Sequence, residues 1–273
     1  MDDLLFLKLG GSILTDKTRP EALDEAVLAL TARSLAEALR ARPGLRLLIG
    51  HGGGSFGHHW AHRYQTHLGV HDPQGWEGVA RVADAMGRLN RAVVRHLIDA
   101  GINAISVQPS ASAVAAHGTL QSMATNTLSA MLNSGLVPVL YGDVVVDVRQ
   151  GATIISTEAI FAFLAPVLRP QRIILVGEDG VYTSDPRRDP QARRIPIIDE
   201  SNIEQVLDQA KGSHGVDVTG GMLSKVQTMW RLVASRDDLE VQLVGPDPAV
   251  VGSVLRGDMA AGTLIRRRPA DGS

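Results

Sequence analysis

Four lysines (Lys8, Lys17, Lys211 and Lys225) stand against 23 arginines in this 273-residue chain, so the position of each lysine is informative. An ammonium is a compact point charge, whereas a guanidinium is a rigid fork. Lys8 interrupts the apolar run Leu4-Leu5-Phe6-Leu7-Lys8-Leu9, where a charge must be paired or face a polar cavity. Gly10-Gly11-Ser12 follows it, and Lys17 comes shortly after. A second glycine run is Gly50-His51-Gly52-Gly53-Gly54-Ser55-Phe56-Gly57, and a third is Gly220-Gly221-Met222-Leu223-Ser224-Lys225. Glycine lets backbone N–H groups approach an anion closely, and a helix N-terminus adds partial positive charge. One such run reads equally well as a tight turn. Three of them, two with a lysine in the motif, point to phosphate.

Two other readings of these residues are weaker. Gly52-x-Gly54-x-x-Gly57 fits a dinucleotide fingerprint, but the only acids near the expected position are Asp72 and Glu77, and no convincing strand leads to them. Gly-x-x-x-x-Gly-Lys-Ser/Thr does not occur. Six of the nine histidines lie between 51 and 71 (His51, His58, His59, His62, His67 and His71). His58 and His62 have the spacing of two ligands on one helix face, yet no His-Glu-x-x-His pattern accompanies them, so no metal site is assigned. His58 directly follows Gly57, so its imidazole can point at whatever the glycine run binds, and a phosphate dianion there would raise its pKa.

The elements that must position these residues follow from periodicity and punctuation. Strands are expected at Leu4–Leu9, Leu45–Ile49, Ile102–Val107, Val137–Tyr141, Arg172–Val176 and Glu240–Val244, with Thr263–Arg267 as a final edge strand. Val144–Val148 and Ala152–Ile155 read as a hairpin. Helices are expected at Leu23–Leu39, Glu77–Ala100, Thr125–Asn133, Thr157–Leu168, Gly221–Ser235 and Ala249–Arg256. The stretch Thr183–Ile195, rich in Pro, Arg and Asp, reads as an exposed loop. Strands alternating with helices imply a mostly parallel sheet covered on both faces. The chain reads as one α/β domain with two functional lobes, about 1–168 and about 169–273.

Composition narrows the classes further. Hydrophobic residues make up 44% and charged residues 21%, an ordinary globular balance. The absence of cysteine excludes disulfides and thiolate chemistry and is compatible with a cytoplasmic location. A net charge of −2 without a long basic run argues against nucleic acid as a partner. The acidic start Met1-Asp2-Asp3 does not suit a signal peptide, and no stretch is apolar enough for a membrane span.

Four motifs carry a resemblance: Lys-Leu-Gly-Gly-Ser at 8–12, Gly-His-Gly-Gly-Gly-Ser-Phe-Gly-His at 50–58, Asp-Gly-Val-Tyr-Thr-Ser-Asp-Pro at 179–186, and Asp-Val-Thr-Gly-Gly-Met-Leu-Ser-Lys at 217–225. In this order they resemble the amino acid kinase superfamily, and the Gly-Ser-Phe-Gly-His element is similar to that of its isopentenyl phosphate kinase branch, shared with fosfomycin kinases. The resemblance implies a three-layer αβα sandwich with a mostly parallel central sheet, ATP with Mg2+, and a homodimer. It implies phosphoryl transfer from ATP to isopentenyl phosphate, with another phosphate or phosphonate acceptor, or a carboxylate, as the alternatives. By the same resemblance Lys8, Lys17, His58 and Lys225 are the catalytic set. Lys8, Gly10, Gly11, Ser12, Gly54, Asp179, Tyr182, Asp185, Gly220, Gly221 and Lys225 would hold ATP. Gly53, Gly54 and His58 would hold the acceptor phosphate, with Thr157 beside them.

Two points stay open. Where the family often has Ile-Ser-Gly-Asp-Asp, this chain has Ile155-Ser156-Thr157-Glu158, and Glu158 reads either as an acid orienting the lysines or as a helix N-terminal charge. Val82, Ala83 and Met86, with Val79, share one helix face and read either as an isoprenoid-tail pocket or as core.

Overall fold

Apolar runs bounded by glycine become strands, and the 3.6-residue stripes between them become helices. The computed structural model describes residues 3–16, 19–186, 188–211 and 221–268, with the backbone alone at 12, 210 and 211. Its strands are β1 (Leu4–Leu9), β2 (Arg46–His51), β3 (Ala104–Ser106), β4 (Val114–Ala116), β5 (Thr119–Ser122), β6 (Val137–Tyr141), β7 (Asp143–Asp147), β8 (Gly151–Ile155), β9 (Arg172–Val176), β10 (Val181–Tyr182), β11 (Arg194–Ile195), β12 (Ile197–Ile198), β13 (Glu240–Val244) and β14 (Thr263–Ile265). The helices are α1 (Gly11–Leu14), α2 (Glu25–Ala41), α3 (Gly54–Arg63), α4 (Pro73–Asp99), α5 (Thr125–Asn133), α6 (Thr157–Leu168), α7 (Ile203–Lys211), α8 (Gly221–Ala234) and α9 (Pro248–Leu255). Side chains of Asp24, Asp72, Ser156 and Asp247 cap α2, α4, α6 and α9 by accepting backbone N–H bonds.

Eight strands form one sheet in the order β12-β14-β13-β9-β1-β2-β6-β3, parallel except where β14 runs against β13. Strand alternation sends Leu4 and Phe6 of β1 to one face, under α5, α6, α7 and α8, and Leu5, Leu7 and Leu9 to the other, under α2, α4 and α9. This is the expected three-layer αβα sandwich. A second sheet, β5-β4-β7-β8, contains the expected hairpin. Sheet order reverses at β1, with β2 on one side and β9 on the other, which opens a crevice at the carboxyl ends of these strands.

Several expectations need correction. Residues 263–265 do not form the edge, because β12 pairs outside β14. The expected loop at 183–195 ends in β11, which pairs with β10. The long helix starts at Pro73, where Asp72 accepts the Gly75 N–H and proline suits the first turn. The β4–β5 hairpin and α7 are further elements: β4 and β5 are only three and four residues long, too short for a periodic signal.

Phe161 on α6 is fully buried against Phe6, with ring centroids 5.0 Å apart. Phe161→Ala is expected to cost about 3–5 kcal/mol in denaturant unfolding. A loss under ~1 kcal/mol would mean that α6 does not pack as described.

Candidate active site

β1, β2 and β9 all deliver their carboxyl ends to one cavity of about 180 Å³. Lys8, Gly10, Gly11, Gly53, Gly54, His58, Thr157, Glu158 and Lys225 line it, and so do Val82 and Met86. Three of the four expected catalytic groups, Lys8, His58 and Lys225, therefore share one space. Lys17 and Gly220 lie outside the described residues, as does the Ser12 side chain.

Lys8 reaches this cavity because strand alternation turns it to the Phe6 face, where α6 presents Glu158. The two side chains form a short ion pair, with side-chain exposures of only 15% and 13%. Burial pushes the Glu158 carboxyl up, but the Lys8 charge and hydrogen bond, with the Lys225 charge, outweigh this and hold it below the usual carboxylate range. Of the two readings of Glu158, the pairing with Lys8 is seen directly. Its place in the first turn of α6 also suits the helix dipole.

The first two glycine runs abut. A Cβ on Gly11 would lie 2.2 Å from the Gly54 nitrogen, and one on Gly54 would lie 2.5 Å from the Gly11 carbonyl oxygen and 2.1 Å from Thr15 Oγ1. Gly54 also takes φ +48°, in the left-handed region. α3 starts here, so His58 stands a full turn inside the helix and not at its mouth. The reason is local: the Gly53 carbonyl already accepts from Phe56 and Gly57 at 3.0 and 3.1 Å. His58 is exposed yet lines the cavity, and His62 is exposed one turn further on.

Thr157 stands where the pattern that the sequence resembles often has glycine. Its hydroxyl donates to the His51 carbonyl at 2.7 Å, and its methyl fills the space above Gly50, where a Cβ would approach within 2.4 Å. One wall is apolar: Ala61, Val82, Met86 and Ile154 line it, and the Met86 sulfur lies 3.0 Å from a Cβ built on Gly53. Ala83 is absent from this lining and packs, like Val79, partly buried against the same cluster.

The remaining expected nucleotide residues lie outside the cavity lining. Asp179 accepts from the Tyr182 hydroxyl at 3.3 Å and faces Gly245, just past β13. Asp185 caps its own loop, where its backbone carbonyl accepts from Arg188 and Asp189. Gly221 opens α8 with φ +61°.

Sequence reading missed a buried relay behind the second glycine run. His51 Nδ1 donates to the Gly52 carbonyl at 3.0 Å, Asn90 Nδ2 donates to His51 Nε2 at 3.1 Å, and Ser106 Oγ donates to Asn90 Oδ1 at 2.5 Å. Asn90 amid Ala85, Met86, Leu89 and Val93 on the buried face of α4 was the available signal. Burial pushes the His51 imidazole down to about 4, against its Gly52 hydrogen bond, so the ring is neutral. Asp143, also missed, lines the cavity; burial pushes its carboxyl up to about 6, against hydrogen bonds from Ser110 and Val144.

The chain belongs to the amino acid kinase family, whose model matches residues 3–244. It is 38% identical to the isopentenyl phosphate kinase of Haloferax volcanii, over 93% of this chain and 99% of that protein. It is 33% identical to that of Methanothermobacter thermautotrophicus, over 96% and 98%. A crystallographic isopentenyl phosphate kinase structure matches with a TM-score of 0.81 at 31% identity, covering 96% of this chain and 99% of that one.

Two outcomes follow. His51 has its folded pKa below its unfolded value of ~6.5, so its contribution is intact above that pH and is lost as pH falls toward about 4. Asp143 has the opposite sign, gaining stability as pH falls through about 6. The wild-type advantage over His51→Gln should therefore shrink by about 3 kcal/mol between pH 7 and pH 4 in denaturant unfolding. An advantage that is the same at both pH values would show that His51 is not held neutral. Gly54→Ala should lower stability by at least about 2 kcal/mol through left-handed strain and overpacking, read in the same assay.

Proposed function

We propose that this chain transfers the γ-phosphoryl group of ATP to isopentenyl phosphate, giving ADP and isopentenyl diphosphate. The observation that carries the reading is the single cavity lined by Lys8, Lys225, His58 and two glycine turns, with an apolar wall at one side. The acceptor oxygen is already anionic near neutral pH, since a phosphate monoester has its second pKa at ~6. A general base is therefore unnecessary, and the barrier is the repulsion between two anions held in line. An acceptor oxygen attacks the γ-phosphorus, the new O–P bond forms, and the bond to the β,γ-bridging oxygen breaks as ADP leaves.

In this reading Lys8 and Lys225 neutralise the β- and γ-phosphates, Lys17 meets charge developing in the transition state, and His58 holds the acceptor phosphate. Gly53 and Gly54 offer backbone N–H groups to the same phosphate, and Gly10, Gly11, Ser12, Gly220 and Gly221 serve the nucleotide. Asp179, Tyr182 and Asp185 lie toward the adenosine end. The division into an acceptor lobe near 1–168 and an ATP lobe near 169–273 belongs to the same proposal. Among the described residues no group of three or more His, Asp or Glu side chains could cage a metal. Mg2+ is proposed to arrive on ATP oxygens and water, where it would offset phosphate charge. A homodimer and a cytoplasmic setting complete the proposal; no helix of the described residues is long and apolar enough to cross a membrane.

Ala61, Val82, Met86 and Ile154 support an isoprenoid tail over a polar amino acid as acceptor. A panel of isopentenyl phosphate, a phosphonate and glutamate with labelled ATP tests this. Isopentenyl phosphate is expected to be used with the highest kcat/KM, and preferential use of glutamate would overturn the reading. His58→Ala should lower kcat/KM for the acceptor by about 10²-fold, the scale of one lost charge-stabilising donor, while the KM for ATP stays put.

A further inference from the structure

Helix α3 begins without a cap of its own. Its N-cap residue is Gly53, which has no side chain to accept the helix's first N–H groups. The partner comes from elsewhere in the chain. Thr15 Oγ1 accepts the Ser55 N–H at 2.9 Å, and the same hydroxyl donates its proton to the Gly11 carbonyl at 2.8 Å. One buried hydroxyl, on a residue only 4% exposed, thus bridges the two glycine turns. Thr15 is itself held from both sides. Its N–H donates to the Gly11 carbonyl at 3.1 Å, and its backbone bridges to Leu23. It is absent from the lining of the cavity among the described residues.

We propose that Thr15 is a positioning residue that sets the spacing between the nucleotide-side turn at Gly10–Gly11 and the acceptor-side turn at Gly53–Gly54. The inference rests on the proposed reaction and names a determinant of its in-line geometry. Each turn keeps its own backbone without the hydroxyl; what changes is their separation. Transfer depends on that separation, because misplacing reacting groups by about 1 Å can cost on the order of 10²-fold in rate. Binding of either ligand alone does not depend on it. An ordinary helix cap predicts the reverse, a change in stability with turnover preserved.

Thr15→Val removes the hydroxyl and keeps the shape. It is expected to lower kcat by about 10- to 100-fold while the affinities for isopentenyl phosphate alone and for a non-hydrolysable ATP analogue alone, read by calorimetry, stay near wild type. Thr15→Ser, which retains the hydroxyl, is expected to restore turnover. Wild-type kcat in the valine variant overturns the proposal, and so does a fall in both affinities that matches the fall in rate. If the valine variant does not fold, amide hydrogen exchange at Ser55 in the wild-type chain carries the test: slow exchange supports the bridge, and exchange at the rate of exposed amides overturns it. A wild-type chain that does not phosphorylate isopentenyl phosphate would overturn the proposed reaction instead, and the Ser55 amide would still report on the bridge.

Discussion

Two turns of bare backbone press against each other where β1 and β2 end, and the rest of the site is built around that contact. Gly11 and Gly54 approach so closely that a Cβ on either would overlap main-chain atoms of the other. Close packing tolerates no such overlap, so both positions require glycine. The contact brings two sets of backbone amides to one space, with the Thr15 hydroxyl joining them. It also sets the closest approach of the two turns, which can part but cannot close further.

Charge in the site is balanced by pairing and not by solvent. Lys8 leaves an apolar strand and meets Glu158 in a half-enclosed space, while Lys225 adds a second positive charge within range of the same carboxylate. A lone buried ammonium would be costly, and a buried carboxylate equally so; together they keep positive charge at the wall of the cavity. Two ionisable groups nearby are tuned by burial: His51 is neutral and locked between the Gly52 carbonyl and Asn90, and Asp143 is shifted toward its neutral form. Lys8, Lys225 and the glycine turns thus share the cavity with an apolar wall of Ala61, Val82, Met86 and Ile154.

The departure from the family pattern at Thr157 is absorbed locally. The threonine methyl occupies the volume above Gly50, and its hydroxyl fastens the end of β2 through the His51 carbonyl. The added side chain thus ties α6 to the second glycine turn and does not displace Glu158 from Lys8.

The amino-acid sequence by itself determined the alternation of strands and helices, the helix spans 125–133 and 157–168, the placement of Lys8 on a buried strand, and the glycine turns. Those features are local: periodicity, punctuation and a charge in an apolar run are visible within a few residues. Only the tertiary structure decided which residues meet. Thr15 and Ser55 are 40 positions apart, His51 and Asn90 39 apart, and Lys8 and Glu158 150 apart. Their contacts depend on sheet order and on strand register, where a slip of one residue would turn Lys8 away from Glu158. The edge place of β12 and the absence of Ala83 from the cavity wall were set in the same way, by packing between distant segments that no local pattern records.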